Sequence, residues 1–120
     1  CTRRPGGIMP IIYIAGPFAD PDPVFGVAAN VASAARAARE CMQKGWIFFC
    51  PHTHTQGFQH YPEFTEEQWY AFNLEHLKHC DALLLITGWS RSKGATMERQ
   101  YAIEHSIPVF YENDGIPDAP

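Results

Sequence analysis

The sequence predicts a small α/β domain, a three-layer sandwich of Rossmann-like or flavodoxin-like winding, with a parallel sheet of four or five strands in the order 2-1-3-4. Three observations predict it. Short apolar runs alternate with longer stretches of helical periodicity, the pattern of strand–helix–strand units that build parallel sheets. Leu83 to Ile86 places four large aliphatics in succession, so that strand has no polar face for solvent. The chain has 120 residues, enough for one core and too few for two.

The elements follow in order. Ile11 to Ala15 is a short apolar strand that Gly16-Pro17 ends, and Phe18 to Pro23 is a loop dense in Pro and Asp. Val24 to Lys44 carries Val27, Val31, Ala34, Ala35, Ala38 and Met42 at helical spacing. That alanine-rich face can lie close to a sheet, and Gly45 ends the helix. Trp46 to Cys50 is the second strand, followed by a long loop, Pro51 to Phe64, rich in His and aromatics. Thr65-Glu-Glu-Gln68 fits a capping box, which predicts a helix from about Glu66 to Cys80 burying some combination of Trp69, Phe72, Leu74 and Leu77. Leu83 to Ile86 is the third strand. A helix from about Ala95 to His105 and a fourth strand at Pro108 to Tyr111 complete the domain.

Residues 1–8 have neither periodicity nor an apolar signal-peptide segment and read as a disordered leader or an added remnant. Residues 9–112 form the single domain, and the turn-rich 113–120 reads as a loose tail. The formal charge of −4 and the lack of a Lys/Arg cluster beyond Arg3-Arg4 argue against a duplex nucleic-acid partner, which needs a basic face to displace counterions. No apolar run approaches the ~20 residues that span a bilayer, so no membrane partner is expected. Cys1, Cys41, Cys50 and Cys80 are widely spaced without a C-x-x-C pair, which favours reduced, buried thiols in a cytoplasmic protein over a disulfide scaffold.

In the order 2-1-3-4 the chain reverses its course across the sheet between the first and third strands, and a crevice opens above their carboxyl ends. The Gly16 loop and the Ser92 loop meet there. Tyr13, Gly16, Pro17 and Phe18 come to lie beside Ser92, Gly94 and Glu98. Ser92 caps a new helix and Gly94 lets backbone approach a ligand, while the free N–H groups of that helix suit an anion the size of a phosphate. Glu98 has two readings: a nucleophile facing the crevice, or an ordinary carboxylate favoured by the helix macrodipole.

These residues resemble a known family. Ile-Tyr-Ile-Ala-Gly-Pro at 12–17, Asn-Leu-Glu-His-Leu at 73–77 and Gly-Trp-Ser-Arg-Ser-Lys-Gly-Ala-Thr-Met-Glu at 88–98 resemble the nucleoside 2-deoxyribosyltransferase-like superfamily. Within it the chain is most similar to the small DUF4406-type branch, with the 2'-deoxynucleoside 5'-phosphate N-hydrolases as cousins. The resemblance implies cleavage of an N-glycosidic bond through a carboxylate nucleophile, Glu98, which Tyr13 positions from the pocket floor. Ser92 with Gly94 would hold a 5'-phosphate, and Trp89 is shared with the close relatives. Such chemistry passes through an oxocarbenium-like state that a nearby carboxylate stabilises and then traps. A homodimer or higher homo-oligomer is implied by analogy. The departure is Asn73, where relatives place an Asp against the departing base, and an amide has no proton to lend. Either another acid serves, with Asp20, Asp22 and Glu67 as sources, or the leaving base needs no protonation, or the chain is a weak catalyst; the Ser or Asn that relatives lend to a neighbouring subunit has no matched position here, and Asn113 stands in for it as a guess.

Other candidates have plainer readings. His52, His54 and His60 lack the spacing of a zinc site, so neither a metal nor any other cofactor is expected. Phe58, Tyr61, Phe64, Trp69 and Tyr70 would form a lid over a flat base or simply pack. Lys93 assists a phosphate or is solvated, Tyr101 packs, and Asp81 satisfies backbone donors ahead of the buried strand. Two functional classes follow. One is an enzyme releasing free base from a (deoxy)nucleoside 5'-monophosphate or nucleoside, as hydrolase or transferase; the other is a non-catalytic module that retains the nucleotide pocket.

Overall fold

The computed structural model describes residues 10–16, 26–50 and 65–120. Within them the chain runs β1 (Ile11–Ala15), α1 (Gly26–Gln43), β2 (Ile47–Phe49), α2 (Glu66–Lys78), β3 (Ala82–Leu85), α3 (Lys93–Glu104) and β4 (Val109–Tyr111). Single 3-10 turns follow β3 and β4, at Trp89–Arg91 and Glu112–Asp114. The four strands are parallel in the order β2-β1-β3-β4, a Rossmann-like sandwich with the predicted winding.

Register divides the sheet cleanly into two faces. Tyr13 stands opposite Phe49 and Leu83, Leu83 opposite Val109, and Leu85 opposite Tyr111. Because side chains alternate along a strand, the odd-numbered strand residues all share one face, which also receives Leu77 of α2 and Ala95 and Ala102 of α3. The even-numbered ones, Ile12, Ile14, Leu84 and Phe110 among them, pack against α1. Strands buried on both sides need aliphatics on both, which is why the run Leu83 to Ile86 has no polar position.

Local chemistry sets the helices. The Thr65 hydroxyl accepts from the Gln68 N–H at 3.1 Å and the Gln68 side chain accepts from the Thr65 N–H at 2.7 Å, the reciprocal capping box expected at the start of α2. Leu77 is wholly buried and Leu74 and Trp69 half-buried, whereas Phe72 is 41% exposed. In α1 the buried stripe is Ala34, Ala37, Ala38 and Cys41. Ala35 and Met42, expected inside, face out, and Met42 is 61% exposed. The Trp46 N–H donates to the Cys41 carbonyl at 3.0 Å, so the chain's re-entry into the sheet turns Cys41 inward. An alanine helix offers little apolar weight to oppose that rotation. Cys41, Cys50 and Cys80 are buried thiols that form no disulfide among the described residues. Asp81 accepts from the Ile11 N–H at 2.8 Å and so completes the β1 ladder, its expected structural role.

The C-terminal residues correct the expectation of a loose tail. Ile116 is buried in the α1-side core, the Trp46 indole N–H donates to the Pro117 carbonyl at 2.8 Å, and the Ala119 N–H donates to the Lys44 carbonyl at 2.9 Å. Among the described residues this face has one helix over it, and residues 116–119 pack beside α1. Ile116→Ala should therefore cost about 2 kcal/mol, the low end for a buried aliphatic, because Ile116 lies outside the helices and strands in a segment that can relax into the cavity. Urea unfolding followed by tryptophan emission reads that loss. Among the described residues no helix is long and apolar enough to cross a membrane.

Candidate active site

Among the described residues, the face beneath α2 and α3 carries one buried acid. Glu98 is 8% exposed and accepts a hydrogen bond from the hydroxyl of Tyr13, a residue with no exposed surface. The macrodipole does not account for a carboxylate here. Glu98 is the sixth residue of α3, beyond the first turn where the helix field and its unpaired N–H groups act. Its carboxyl is instead held against the sheet, where burial pushes it up to about 7 while the Tyr13 hydrogen bond pulls the other way. Burial and the adjacent Glu98 hold the Tyr13 phenol well above its usual range, so it remains protonated and donates. A buried acid that titrates near neutrality beside a fixed donor is the combination in which functional carboxylates are found.

The first turn of α3 carries the other expected contacts. Ser92 is the N-cap, and its Oγ accepts from the Ala95 N–H at 3.1 Å, which leaves the hydroxyl proton available to a ligand. Gly94 lies against Tyr70 of α2: a Cβ there would sit 3.2 Å from Cε1 of the ring. The Lys93 ammonium is 5.9 Å from the centre of the same ring. Thus Tyr70 borders the anion-suited end of α3, and the space that glycine leaves is shared with an aromatic.

Asn73 lies on α2 one turn beyond Tyr70 and one turn before Leu77. That spacing puts it on the stripe that faces the sheet and α3. Its Oδ1 is buried without a hydrogen-bond partner in the structure. An unsatisfied buried carbonyl costs about 1–3 kcal/mol, so an acceptor left open in this way calls for an explanation.

Not every expected residue joins this group. Gly16 is buried at the end of β1, where its lack of a side chain admits Ile86. Trp89 turns toward β4 instead, its ring 5.8 Å from that of Tyr111 and beneath the Arg99 guanidinium. Tyr101 is half-buried and stacks on His105 at 4.0 Å. Asn113 is tied within its own chain, its Oδ1 accepting from the Thr87 hydroxyl at 3.0 Å. Glu67 is exposed. Pro17, Phe18, Asp20, Asp22, His52, His54, His60, Phe58, Tyr61 and Phe64 lie outside the described residues. Sequence reasoning missed Arg99 and the contact of Tyr70 with Gly94; the latter had a signal, a glycine one turn ahead of the acid on the same helix flank.

No curated protein matches the chain. A family model described as a domain of unknown function, DUF4406, matches residues 10–111 and so spans the four strands and three helices of the described residues, with Tyr13, Asn73, Ser92, Gly94 and Glu98 among them. A match of that extent shows that the chain belongs to the DUF4406 family.

Proposed function

We propose that this protein cleaves the N-glycosidic bond of a nucleoside 5'-monophosphate or nucleoside, with Glu98 as the nucleophile. The observation that carries the reading is the buried hydrogen bond from Tyr13 to Glu98 on the face of the sheet beneath α2 and α3. In its ionised form Glu98 attacks the anomeric carbon as the C–N electron pair leaves with the base, giving a glycosyl ester on the carboxylate. Tyr13 fixes which oxygen is presented. Water, or a second base, then attacks the same carbon and returns Glu98 as a carboxylate, the proton shed by the attacking group balancing the one the departed base takes up from solvent. The open Oδ1 of Asn73 suits an N–H on the departing base, and the amide's own N–H groups suit a ring nitrogen. Ser92 and the first N–H groups of α3 suit a 5'-phosphate.

Incubation with a panel of ribo- and deoxyribonucleoside monophosphates and nucleosides, with free base measured by chromatography, tests the proposal. Release from at least one substrate is the expected result. The absence of an acidic proton on residue 73 favours a second reading, a binding module that has kept the pocket; it predicts nucleotide-induced thermal stabilisation with no base released.

The pH profile carries its own expectation. An ionised nucleophile that titrates near 7 should give a rate that rises with pH through about 7 and then levels. In Tyr13→Phe the hydrogen bond that lowers the carboxyl's pKa is gone, so that limb should move to higher pH and the plateau fall. A profile unchanged in Tyr13→Phe would remove the phenol from the mechanism.

A further inference from the structure

A second group of donors lies on the other flank of α3, and it is independent of the glycosidase reading. Arg99 follows Glu98 on the helix and reaches toward β4, where its Nε donates to the Tyr111 hydroxyl at 2.8 Å. Its Cζ is 5.4 Å from the centre of the Trp89 ring. Trp89 and Tyr111 are themselves in contact, their rings tilted by 47°. Tyr13 is on β1 and Tyr111 on β4 with β3 between them, so the two groups are separated by two strand spacings, about 10 Å.

This cluster has an excess of donors. A guanidinium carries five N–H groups, and the structure uses the one on Nε. Among the described residues, no acceptor meets the terminal amino groups of Arg99 or the indole N–H of Trp89. Of the two carboxylates that flank these residues in sequence, Glu98 accepts from Tyr13 on the other side, and Glu112, next to Tyr111, accepts from the Thr87 backbone N–H at 2.8 Å. Tyr111 accepts from Arg99, which leaves its own O–H proton to donate beside the guanidinium. A solvated arginine loses rotamer freedom when it takes a ligand, but here the ring stack and the Nε hydrogen bond have already removed that freedom. What remains is a planar fork with two parallel donors and a phenol alongside.

We propose that Arg99 and Tyr111, braced by Trp89, bind a small oxyanion, a phosphate or carboxylate group, on the β4 side of α3. The fork takes two oxygens of the anion in bidentate fashion and the phenol adds a third hydrogen bond. The site needs neither Glu98 nor turnover, so it stands or falls apart from the glycosidase proposal.

Titration of 15N-labelled full chain with inorganic phosphate, and separately with acetate, tests it by NMR. The Trp89 indole cross-peak, assigned by its loss in Trp89→Phe, should move saturably at millimolar anion. A shift with phosphate alone assigns a phosphate ester; a shift with both assigns any oxyanion of that shape. Arg99→Lys keeps charge and stem but loses the fork, and should weaken binding about tenfold. Tyr111→Phe should weaken it about threefold through the lost phenol donor. An indole signal that stays still under both anions overturns the assignment. So does an Arg99→Lys protein that binds as tightly as wild type, or movement confined to the backbone amides of residues 94–96, which places the anion at the helix cap.

Discussion

Glu98→Gln should reduce base release by roughly three orders of magnitude or more and at the same time make the protein more stable above neutral pH. The side chains have nearly the same shape, and the amide oxygen of Gln still accepts the Tyr13 hydrogen bond. Only the nucleophile and the buried charge are removed. The carboxyl titrates at 4.5 in the open chain and at about 7 in the fold, so between those values the folded state holds the extra proton. Stability from this group is fully present below pH 4.5 and is lost as pH rises through about 7. Above that, the buried charge costs roughly 3 kcal/mol, and the Gln variant avoids it. Thermal unfolding from pH 4 to 9 should therefore show wild-type stability sloping downward across the window, with the slope missing in Glu98→Gln. Full base release by the variant removes Glu98 from catalysis; a variant less stable than wild type at pH 8 shows that the carboxylate is structurally satisfied.

Gly16→Ala should unfold the protein more readily by about 3 kcal/mol, the upper end for forcing a methyl group into a filled core. A Cβ at this position would sit 2.2 Å from Cγ1 and 2.7 Å from Cδ1 of Ile86. Ile86 is 1% exposed and its N–H is bonded to the Ala15 carbonyl at 2.9 Å, so neither its side chain nor its backbone has room to withdraw. The double variant Gly16→Ala/Ile86→Ala isolates the clash. If contact with Ile86 is the cause, urea unfolding should find the alanine at 16 nearly harmless in the Ile86→Ala background, a coupling that distant sites do not show. Additive losses would place the cost in the backbone of the Gly16 turn.

The fold was legible because several levels of the sequence agree. An all-aliphatic run, a capping box and a glycine-terminated first strand each point to the same alternation, and right-handed crossovers leave few ways to assemble it. That topology also brings Tyr13 to Glu98 across 85 residues of chain, a juxtaposition readable from strand order alone. The rotation of α1 was less legible, since alanines at 32, 34, 35, 37 and 38 make several helix faces nearly equivalent. Ile116 was hidden among Gly, Pro and Asp, whose local chemistry describes a turn and says nothing of what one isoleucine can reach. The Trp89, Arg99 and Tyr111 cluster depends on the register of β4 and on which way the turn after β3 faces, and no local pattern encodes either. The open Oδ1 of Asn73 is a statement about missing neighbours, visible only once every neighbour is placed.

The division of the sheet into odd and even faces has a genetic consequence. Along β1, β3 and β4 a residue's parity decides whether it touches the α1 side or the side that carries Tyr13 and Glu98. A saturation library scored separately for cellular abundance and for ligand-dependent phenotype should alternate position by position. Conservative changes at 12, 14, 84 and 110 would move abundance alone, while those at 13, 85 and 111 would separate the two scores.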